Sequence, residues 1–396
     1  MTPAGKSINV LSKIALEISR NGSRALAQKV ETLKKQGKEV LHLASAPVDP
    51  PGPNVVEAAI AAIRENKRTT SRGLPELREA IAQKVLRENG IYCDPEREVL
   101  VTNGSMHGVF VCIAGCINPG DEVLMLAPCF YFFGSVQLMG GVCRFVQLDP
   151  AAGFRVDIQK IEREITPKTR VLIWNTPFNP SGYVATGDDT QAIAALAQKY
   201  NLTIISDESY EKWVFDGRNH ISIGSLPEVR ERALTVHSFS KSYSMAGWRV
   251  GYIVASGEKV EHLQKILEHT VLECNYVAQR ATAAALSGPQ DWVQGLTEKI
   301  RRHRDLVWEG LGSIEGVSFP LPQGGPNAFI DITSLTDSGQ RFSDYALEEY
   351  GLPLVPGEAF MCPGHVRFSF AGEENQLEEA IRRFRSAVQR FPREGH

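Results

Sequence analysis

The sequence has 396 residues, with 43 Lys and Arg against 46 Asp and Glu, a formal net charge of −3, and 43% hydrophobic and 22% charged residues. This composition is typical of a globular protein and excludes a mainly disordered chain, and a balanced charge without a basic cluster argues against nucleic acid as a partner. The longest apolar run, residues 109–117, is far shorter than the roughly 20 residues of a membrane span.

We therefore expect small-molecule partners, no membrane association and, because the N-terminus lacks the apolar core of a secretion signal, a cytoplasmic location. The seven cysteines form no C-x-x-C pair, which favours neither a disulfide framework nor a zinc site, so no metal is expected.

The first 50 residues combine an apolar cluster between residues 10 and 18 with a helical pattern over residues 24–36, followed by the proline-rich residues 46–53. We expect residues 1–50 to form an N-terminal arm and part of a small domain. The arm docks either on another subunit or on its own chain. A further helix is predicted to begin at Pro75, with Leu77, Ile81 and Val85 on one face.

Between residues 98 and 255, short apolar runs alternate with helical stretches. The runs cover residues 99–102, 122–126, 170–174, 203–206, 234–237 and 251–254. Runs of this length without polar alternation are typical of strands buried on both faces, so we predict an α/β fold with a mostly parallel central sheet covered by helices. One such helix covers residues 189–200, with Asp188 or Asp189 as its N-cap. We place this large domain at residues 51–290.

The pattern changes after about residue 290. Residues 292–312 and 373–391 have amphipathic helical patterns, and residues 327–332 and 365–370 between them have strand patterns. We therefore predict a smaller α+β domain over residues 291–396, which the N-terminal residues complete.

A lysine flanked by hydroxyl residues, Lys241, follows the run at residues 234–237. An amine condenses with an aldehyde only when it is unprotonated, so a catalytic lysine needs a pocket that lowers its pKa. Ser238, Ser240 and Arg249 supply hydroxyl groups and a permanent positive charge, which suit a phosphate dianion. Taken alone, such a loop is more often a solvated turn.

Polar residues also follow two other strand-like runs. Asp207 ends a run too apolar to solvate a carboxylate, with Tyr210 three residues later, and it needs a cationic partner unless it caps a helix. Asn179 lies in a turn rich in proline and glycine that fixes where its amide points, although an isolated turn of this kind is simply a loop.

Residues 102–107 join a strand to a helix start, where free N–H groups and the helix dipole attract phosphate. Phe130, in an aromatic segment, offers a face for stacking against a flat ring, and core packing is the alternative.

Together these motifs resemble, in order and spacing, the fold-type I pyridoxal-phosphate enzymes, specifically the class I and II aminotransferases, over essentially the whole chain. The resemblance implies the PLP-dependent transferase fold and pyridoxal 5′-phosphate (PLP) as cofactor. It further implies a homodimer with shared active sites, and amino-group transfer from an α-amino acid to a 2-oxo acid.

The resemblance also implies residue roles. Lys241 forms the internal aldimine and moves protons between the substrate Cα and the cofactor C4′. Asp207 pairs with the pyridinium nitrogen, while Asn179 and Tyr210 bond the ring 3′-oxygen. The phosphate and ring are held by Ser105, Met106, Phe130, Ser238, Ser240 and Arg249. Arg367 resembles the family arginine that binds the substrate α-carboxylate, with Asn179 beside it, and a surface salt bridge is the alternative for Arg367.

Three positions depart from the family pattern. Arg68 stands where a tyrosine usually reaches the phosphate of the neighbouring subunit, and we expect Arg68 to contact that phosphate. Ser45 replaces a usual glycine and Ala46 a frequent acidic residue, and both are expected to reshape the substrate site. The alternative for all three positions is a neutral change in a loop. These departures leave open a β-eliminating C–S lyase, or a decarboxylating or oxidative deaminase. A PLP-sensing module without catalysis is a third alternative.

Overall fold

The computed structural model describes residues 11–18, residue 20 and residues 22–392. Val10 of the apolar N-terminal cluster lies outside the described residues. The described helices are α1 (Lys13–Glu17), α2 (Gly22–Lys35), α3 (Pro53–Glu65), α4 (Pro75–Asn89), α5 (Ser105–Cys116), α6 (Phe133–Leu138), α7 (Ile158–Arg163), α8 (Gly187–Tyr200), α9 (Gly257–Glu268), α10 (Tyr276–Ser287), α11 (Asp291–Gly312), α12 (Gly339–Tyr350) and α13 (Glu374–Arg390).

The strands form two sheets. They are β1 (Val99–Thr102), β2 (Glu122–Ala127), β3 (Val142–Gln147), β4 (Thr169–Asn175), β5 (Thr203–Asp207), β6 (Ala233–Ser238), β7 (Gly251–Val254), β8 (Asn327–Asp331), β9 (Val355–Pro356) and β10 (His365–Ser369). The larger sheet has the order β1-β7-β6-β5-β4-β2-β3, and the smaller sheet has the order β8-β10-β9.

The larger sheet confirms the predicted α/β fold. Strands β3, β2, β4, β5 and β6 are mutually parallel, whereas β7 runs antiparallel to both β6 and β1. The central strands are buried along nearly their whole length, which explains their unbroken apolar runs. Strand β3 was not predicted, because it lies at the sheet edge and its exposed and half-buried residues interrupt the apolar pattern.

The helices α4 and α8 show how the sequence specifies the covering layer. Helix α4 begins at Pro75 as predicted, and its Leu77, Ile81 and Val85 side chains are buried. In α8 the predicted cap was wrong. Thr186 is the N-cap, and Asp189 completes a capping box with it, because the helix begins two residues earlier than the apolar pattern indicates.

The smaller sheet packs with α11, α12 and α13 around a second apolar core. Leu41 belongs to this core, and its backbone N–H donates to Gly351 O, so a segment near the N-terminus is joined to the C-terminal elements. The domain boundaries at residues 50 and 290 stay predictions. Among the described residues, no helix is both long enough and apolar enough to cross a bilayer.

Candidate active site

A cavity of about 680 Å³ lies at the carboxyl ends of β4, β5 and β6, between these strands, α2 and β10. Parallel strands end at one edge of a sheet, so residues far apart in sequence meet there. All but one of the predicted site residues line the cavity: Ser45, Ala46, Ser105, Met106, Phe130, Asn179, Asp207, Tyr210, Ser238, Ser240, Lys241, Arg249 and Arg367.

Lys241 projects into the cavity from the loop after β6. Its Nζ donates to Ser45 O and lies 5.5 Å from the centre of the Tyr210 ring. Burial lowers the pKa of Lys241 to about 7, and the positive charge of Arg367 acts in the same direction, while Asp207 opposes it. Near neutral pH a large fraction of this amine is therefore unprotonated and able to attack a carbonyl carbon.

Asp207 is buried at the end of β5. Asn175 Nδ2 donates to its Oδ2 at 3.2 Å, and the Ser209 hydroxyl and N–H both donate to its Oδ1. It therefore closes a local turn and does not cap a helix. Burial raises the pKa of Asp207 to about 6, although the Ser209 hydrogen bonds lower it.

No Lys, Arg or His among the described residues forms an ion pair with Asp207. A buried carboxylate without an ion pair would be stabilised by a cation from a bound molecule. The protonated nitrogen of a pyridine ring has the charge and size to serve.

A chain of hydrogen bonds crosses the cavity from β5 to α2. Asn179 Nδ2 donates to Tyr210 OH at 3.3 Å, and its Oδ1 accepts from Arg367 Nη1 at 3.3 Å. Arg367 Nη2 in turn donates to Ser23 Oγ at 3.1 Å. These hydrogen bonds fix the Asn179 amide between Tyr210, which is predicted to contact the cofactor ring, and Arg367, which is predicted to bind the substrate.

Arg367 is buried on β10, at 4% exposure, so the surface interpretation of this residue was wrong. Its guanidinium lies 5.0 Å from the centre of the Phe360 ring, and no carboxylate among the described residues pairs with it. Its Nε has no hydrogen-bond partner there either. A buried guanidinium with unused donors is a preformed site for a carboxylate.

Backbone and side-chain donors converge at the start of α5. Gly104 adopts φ +82°, and a Cβ at this position would clash with Arg249 Nη2, so glycine allows this approach of the guanidinium. Ser209 Oγ lies 3.1 Å from Ser105 Oγ and, with its own proton directed to Asp207, accepts the hydrogen bond, which connects this loop to the Asp207 turn. The free N–H groups of the first helical turn and Arg249 together suit a phosphate.

Arg68 is the one predicted site residue outside the cavity. Its side chain is 79% exposed and pairs with Glu273 at 2.7 Å. Within a single chain it contacts none of the residues described above.

Sequence reasoning missed Ser23, Arg24, Tyr131 and Ser209, which also line the cavity. Ser23 and Tyr131 share a hydrogen bond of 2.9 Å across 108 positions of sequence. Only the helical pattern of residues 24–36 signalled this region, and it gave no indication that the first turn of α2 lies over the cavity. Two of the four stand beside residues that the sequence did indicate: Tyr131 is adjacent to Phe130, and Ser209 lies between Asp207 and Tyr210.

The sequence and fold of this chain are similar to those of known proteins. The family model of aminotransferase class I and II matches residues 39–384. An aspartate aminotransferase of Rhizobium meliloti (strain 1021) is 33% identical, over 95% of this chain and 94% of the relative. An aspartate/prephenate aminotransferase of Thermus thermophilus is 34% identical, over 94% of this chain and 97% of the relative. The solved structure of Thermus thermophilus aspartate aminotransferase with maleate superposes with a TM-score of 0.91 at 33% identity, over 95% of this chain and 99% of that chain.

Proposed function

Because this chain belongs to the class I and II aminotransferase family, we propose that the cavity residues bind the cofactor, bind the substrate and move the proton during amino-group transfer. The protein is a fold-type I enzyme that uses pyridoxal 5′-phosphate. The observation that carries the assignment of residues is one cavity that holds an amine with a lowered pKa, a buried carboxylate without an ion pair and a buried guanidinium without a carboxylate.

When bound, PLP supplies an electron sink that lets the amino group and a proton move between substrate and cofactor. Lys241, a substantial fraction of which is unprotonated near pH 7, would hold the cofactor through its aldehyde carbon and would serve as the base for the proton on the substrate Cα. Asp207 holds the positive charge on the ring nitrogen, and the Tyr210 hydroxyl and Asn179 amide donate to the ring oxygen. Arg249, Ser105, Ser238, Ser240 and the first turn of α5 hold the phosphate, and Phe130 lies against the ring.

Arg367 binds the α-carboxylate of the substrate. Its position, fixed by Asn179 and Ser23, directs the substrate Cα towards Lys241. A two-point contact of this kind restricts the orientation of the bound amino acid, which accounts for a large part of the rate in reactions of this type.

For the side chain of the substrate we propose a second acidic group. The described residues that line the cavity carry five Lys or Arg side chains against one acidic side chain, Asp207. Lys241, Arg249 and Arg367 have the roles given above, and the other two, Arg24 and Lys34, lie on α2. Arg24 lies close enough to Arg249 for its charge to help lower the pKa of Arg249, after the larger effect of burial.

The names of the relatives agree with an acidic substrate, since two are aspartate or aspartate/prephenate aminotransferases and one solved structure holds maleate. We therefore propose Arg24 as a contact for the distal carboxylate. An Arg24→Gln variant is expected to lose about 100-fold in kcat/KM for aspartate, because a charge-assisted hydrogen bond is lost, and less than about threefold for leucine. Steady-state kinetics with both amino acids measures this difference.

Lys29→Gln is the matched control, because it removes a cation from the same helix at a position that pairs with Asp344 and does not line the cavity. Equal losses for aspartate and leucine in Arg24→Gln would contradict the assignment. They would indicate that Arg24 supports the position of α2 and does not recognise the substrate.

The reaction itself is tested in a half-reaction. The PLP-loaded protein is mixed with a panel of amino acids without any oxo acid, and the cofactor spectrum and the products are followed. Stoichiometric pyridoxamine phosphate and one equivalent of 2-oxo acid are expected. Continuing release of ammonia, thiol or carbon dioxide with retention of PLP would instead identify elimination, deamination or decarboxylation, with Ser45 and Ala46 in the cavity lining as the departures to examine.

We further propose a homodimer. The exposed apolar side chains Val56, Ile60 and Ile63 form one stripe on α3, at 39%, 47% and 63% exposure. Arg68 follows this helix closely and points outwards, so a partner packed on α3 brings it towards the partner's phosphate site. The cytoplasmic location stays a prediction from the sequence.

An Ile60→Asp variant is expected to weaken self-association by about 100-fold or more, because it places a charge in the centre of an apolar interface. Sedimentation velocity over a concentration series measures the effect. Ala61→Asp, which adds the same charge on the polar side of the same helix, is expected to leave association unchanged. An unaltered dimer in Ile60→Asp would place the interface elsewhere.

A further inference from the structure

An imidazole fixes the loop that joins β1 to α5. Asn103 N donates to His107 Nδ1 at 3.2 Å, and His107 Nε2 lies 2.8 Å from Thr270 Oγ1. Thr270 Oγ1 itself donates to Leu267 O at 2.8 Å. Because Nδ1 accepts and the threonine proton is already used, the hydrogen-bond network places a proton on Nε2 and none on Nδ1. The imidazole is therefore neutral.

His107 occupies a position that usually carries a different residue type. Gly104 is the N-cap of α5, so His107 is the third residue of the helix. In a capping box this position is Glu or Gln, whose side chain accepts from a backbone N–H at the helix start. Here the His107 imidazole accepts a hydrogen bond from the backbone N–H of Asn103, the residue before the N-cap, and so satisfies a backbone donor without adding a negative charge.

The charge at residue 107 matters because the proposed phosphate site lies at the same helix start. The N–H groups of the first turn of α5, together with Arg249 packed on Gly104, form the end of the cavity that suits a phosphate. A carboxylate at residue 107 would interact favourably with the helix dipole, but it would repel a dianion bound to the same turn.

We propose that His107 is a positioning residue, which fixes the β1–α5 loop with a neutral acceptor so that the first turn of α5 holds the cofactor phosphate without a competing negative charge. This inference rests on the proposed location of the phosphate at Ser105, Met106 and Arg249. His107 does not touch the phosphate. It acts through the backbone of Asn103 and Gly104, whose conformation sets the direction of the following N–H groups.

Three substitutions separate the two parts of this role. His107→Gln keeps a neutral acceptor, His107→Ala removes the acceptor, and His107→Glu keeps the acceptor and adds a negative charge. The dissociation constants of PLP and of pyridoxal, which lacks the phosphate, are measured by fluorescence titration of each apoprotein, together with its melting temperature. His262→Gln, an exposed histidine on α9, is the control.

We expect His107→Gln to bind PLP within about threefold of the native protein, His107→Ala about tenfold more weakly and His107→Glu about 100-fold more weakly. The melting temperature of the His107→Glu apoprotein is expected at or above that of His107→Ala, and pyridoxal should bind His107→Glu and His107→Gln equally well. If His107→Glu binds PLP as tightly as His107→Gln, or if PLP affinity simply follows apoprotein stability, the inference is overturned.

An Arg249→Gln variant in the same titration distinguishes the two ways of failing. If it weakens PLP and spares pyridoxal while the His107 variants match the native protein, the phosphate location stands and the role of His107 is wrong. If it affects PLP and pyridoxal equally, the phosphate location is itself wrong, and the inference about His107 falls with it.

Discussion

A Lys241→Ala variant is expected to lose about 10⁴-fold or more of the amino-transfer rate while keeping its fold. Lys241 lies where the loops after β5 and β6 meet, and burial lowers its pKa to about 7. In the mechanism proposed above, its removal would eliminate both the covalent attachment of the cofactor and the base that moves the Cα proton. Stopped-flow absorbance of the half-reaction measures the rate, and circular dichroism checks the fold.

Lys241→Arg is the informative companion variant. It keeps a positive charge and a similar length, but a guanidinium stays protonated throughout the accessible pH range and cannot act as nucleophile or base. We therefore expect Lys241→Arg to be as inactive as Lys241→Ala. Added small primary amines are expected to restore part of the rate in the Ala variant, where space has been created. Native turnover in either variant without added amine would remove Lys241 from the mechanism.

The lowered pKa gives this prediction a pH signature. The reactive form of Lys241 is the neutral amine, which dominates above the pKa, so capture of PLP by the apoprotein should become faster as the pH rises through about 7. Above pH 8 the rate should level off. Borohydride reduction followed by peptide mass spectrometry locates the labelled residue. A midpoint near the ordinary lysine value of 10.5 would contradict the burial argument.

The sequence was sufficient to predict those parts of the site that lie directly after strands. Asp207, Asn179 and Lys241 each follow an apolar run, and parallel strands necessarily bring their carboxyl ends together. The chemistry of each residue type then restricted its role. For this reason the motif residues, although spread over more than 200 positions, line one cavity.

What the sequence did not reveal depends on packing between distant elements. Nothing in the pattern of residues 24–36 indicates that Ser23 bonds Arg367 across 344 positions, because a helical periodicity specifies a buried face and not its partner. The same holds for Arg68, whose proposed contact requires a second copy of the chain. Edge strand β3 was missed because partial exposure removes the apolar run that identifies buried strands.

The second large effect is expected at Arg367. An Arg367→Leu variant should lose about 10³-fold to 10⁴-fold in kcat/KM for amino acids, because both the charge-assisted hydrogen bonds to the α-carboxylate and the orientation of Cα are lost. Arg367→Lys is expected to recover only a small part, since an ammonium cannot bind a carboxylate in the two-point geometry of a guanidinium. Arg302→Leu, on the exposed side of α11, serves as control.

A test that depends on the carboxylate itself separates binding from a general structural effect. The native enzyme should strongly prefer an amino acid over the corresponding amine that lacks the carboxylate, and Arg367→Leu should lose this preference, so that the two changes are not additive. Removing Arg367 also removes a positive charge that helps to lower the pKa of Lys241, so the midpoint of PLP capture should move to higher pH.

The stability of the apoprotein should change in the opposite direction from activity. Arg367 is a buried charge that no described carboxylate neutralises, and its Nε has no hydrogen-bond partner among the described residues, so its presence costs folding free energy until a substrate binds. Arg367→Leu is therefore expected to raise the melting temperature of the apoprotein while it abolishes most turnover. A lower melting temperature together with an intact preference for the carboxylate would show that Arg367 is a structural residue and that the substrate is held elsewhere.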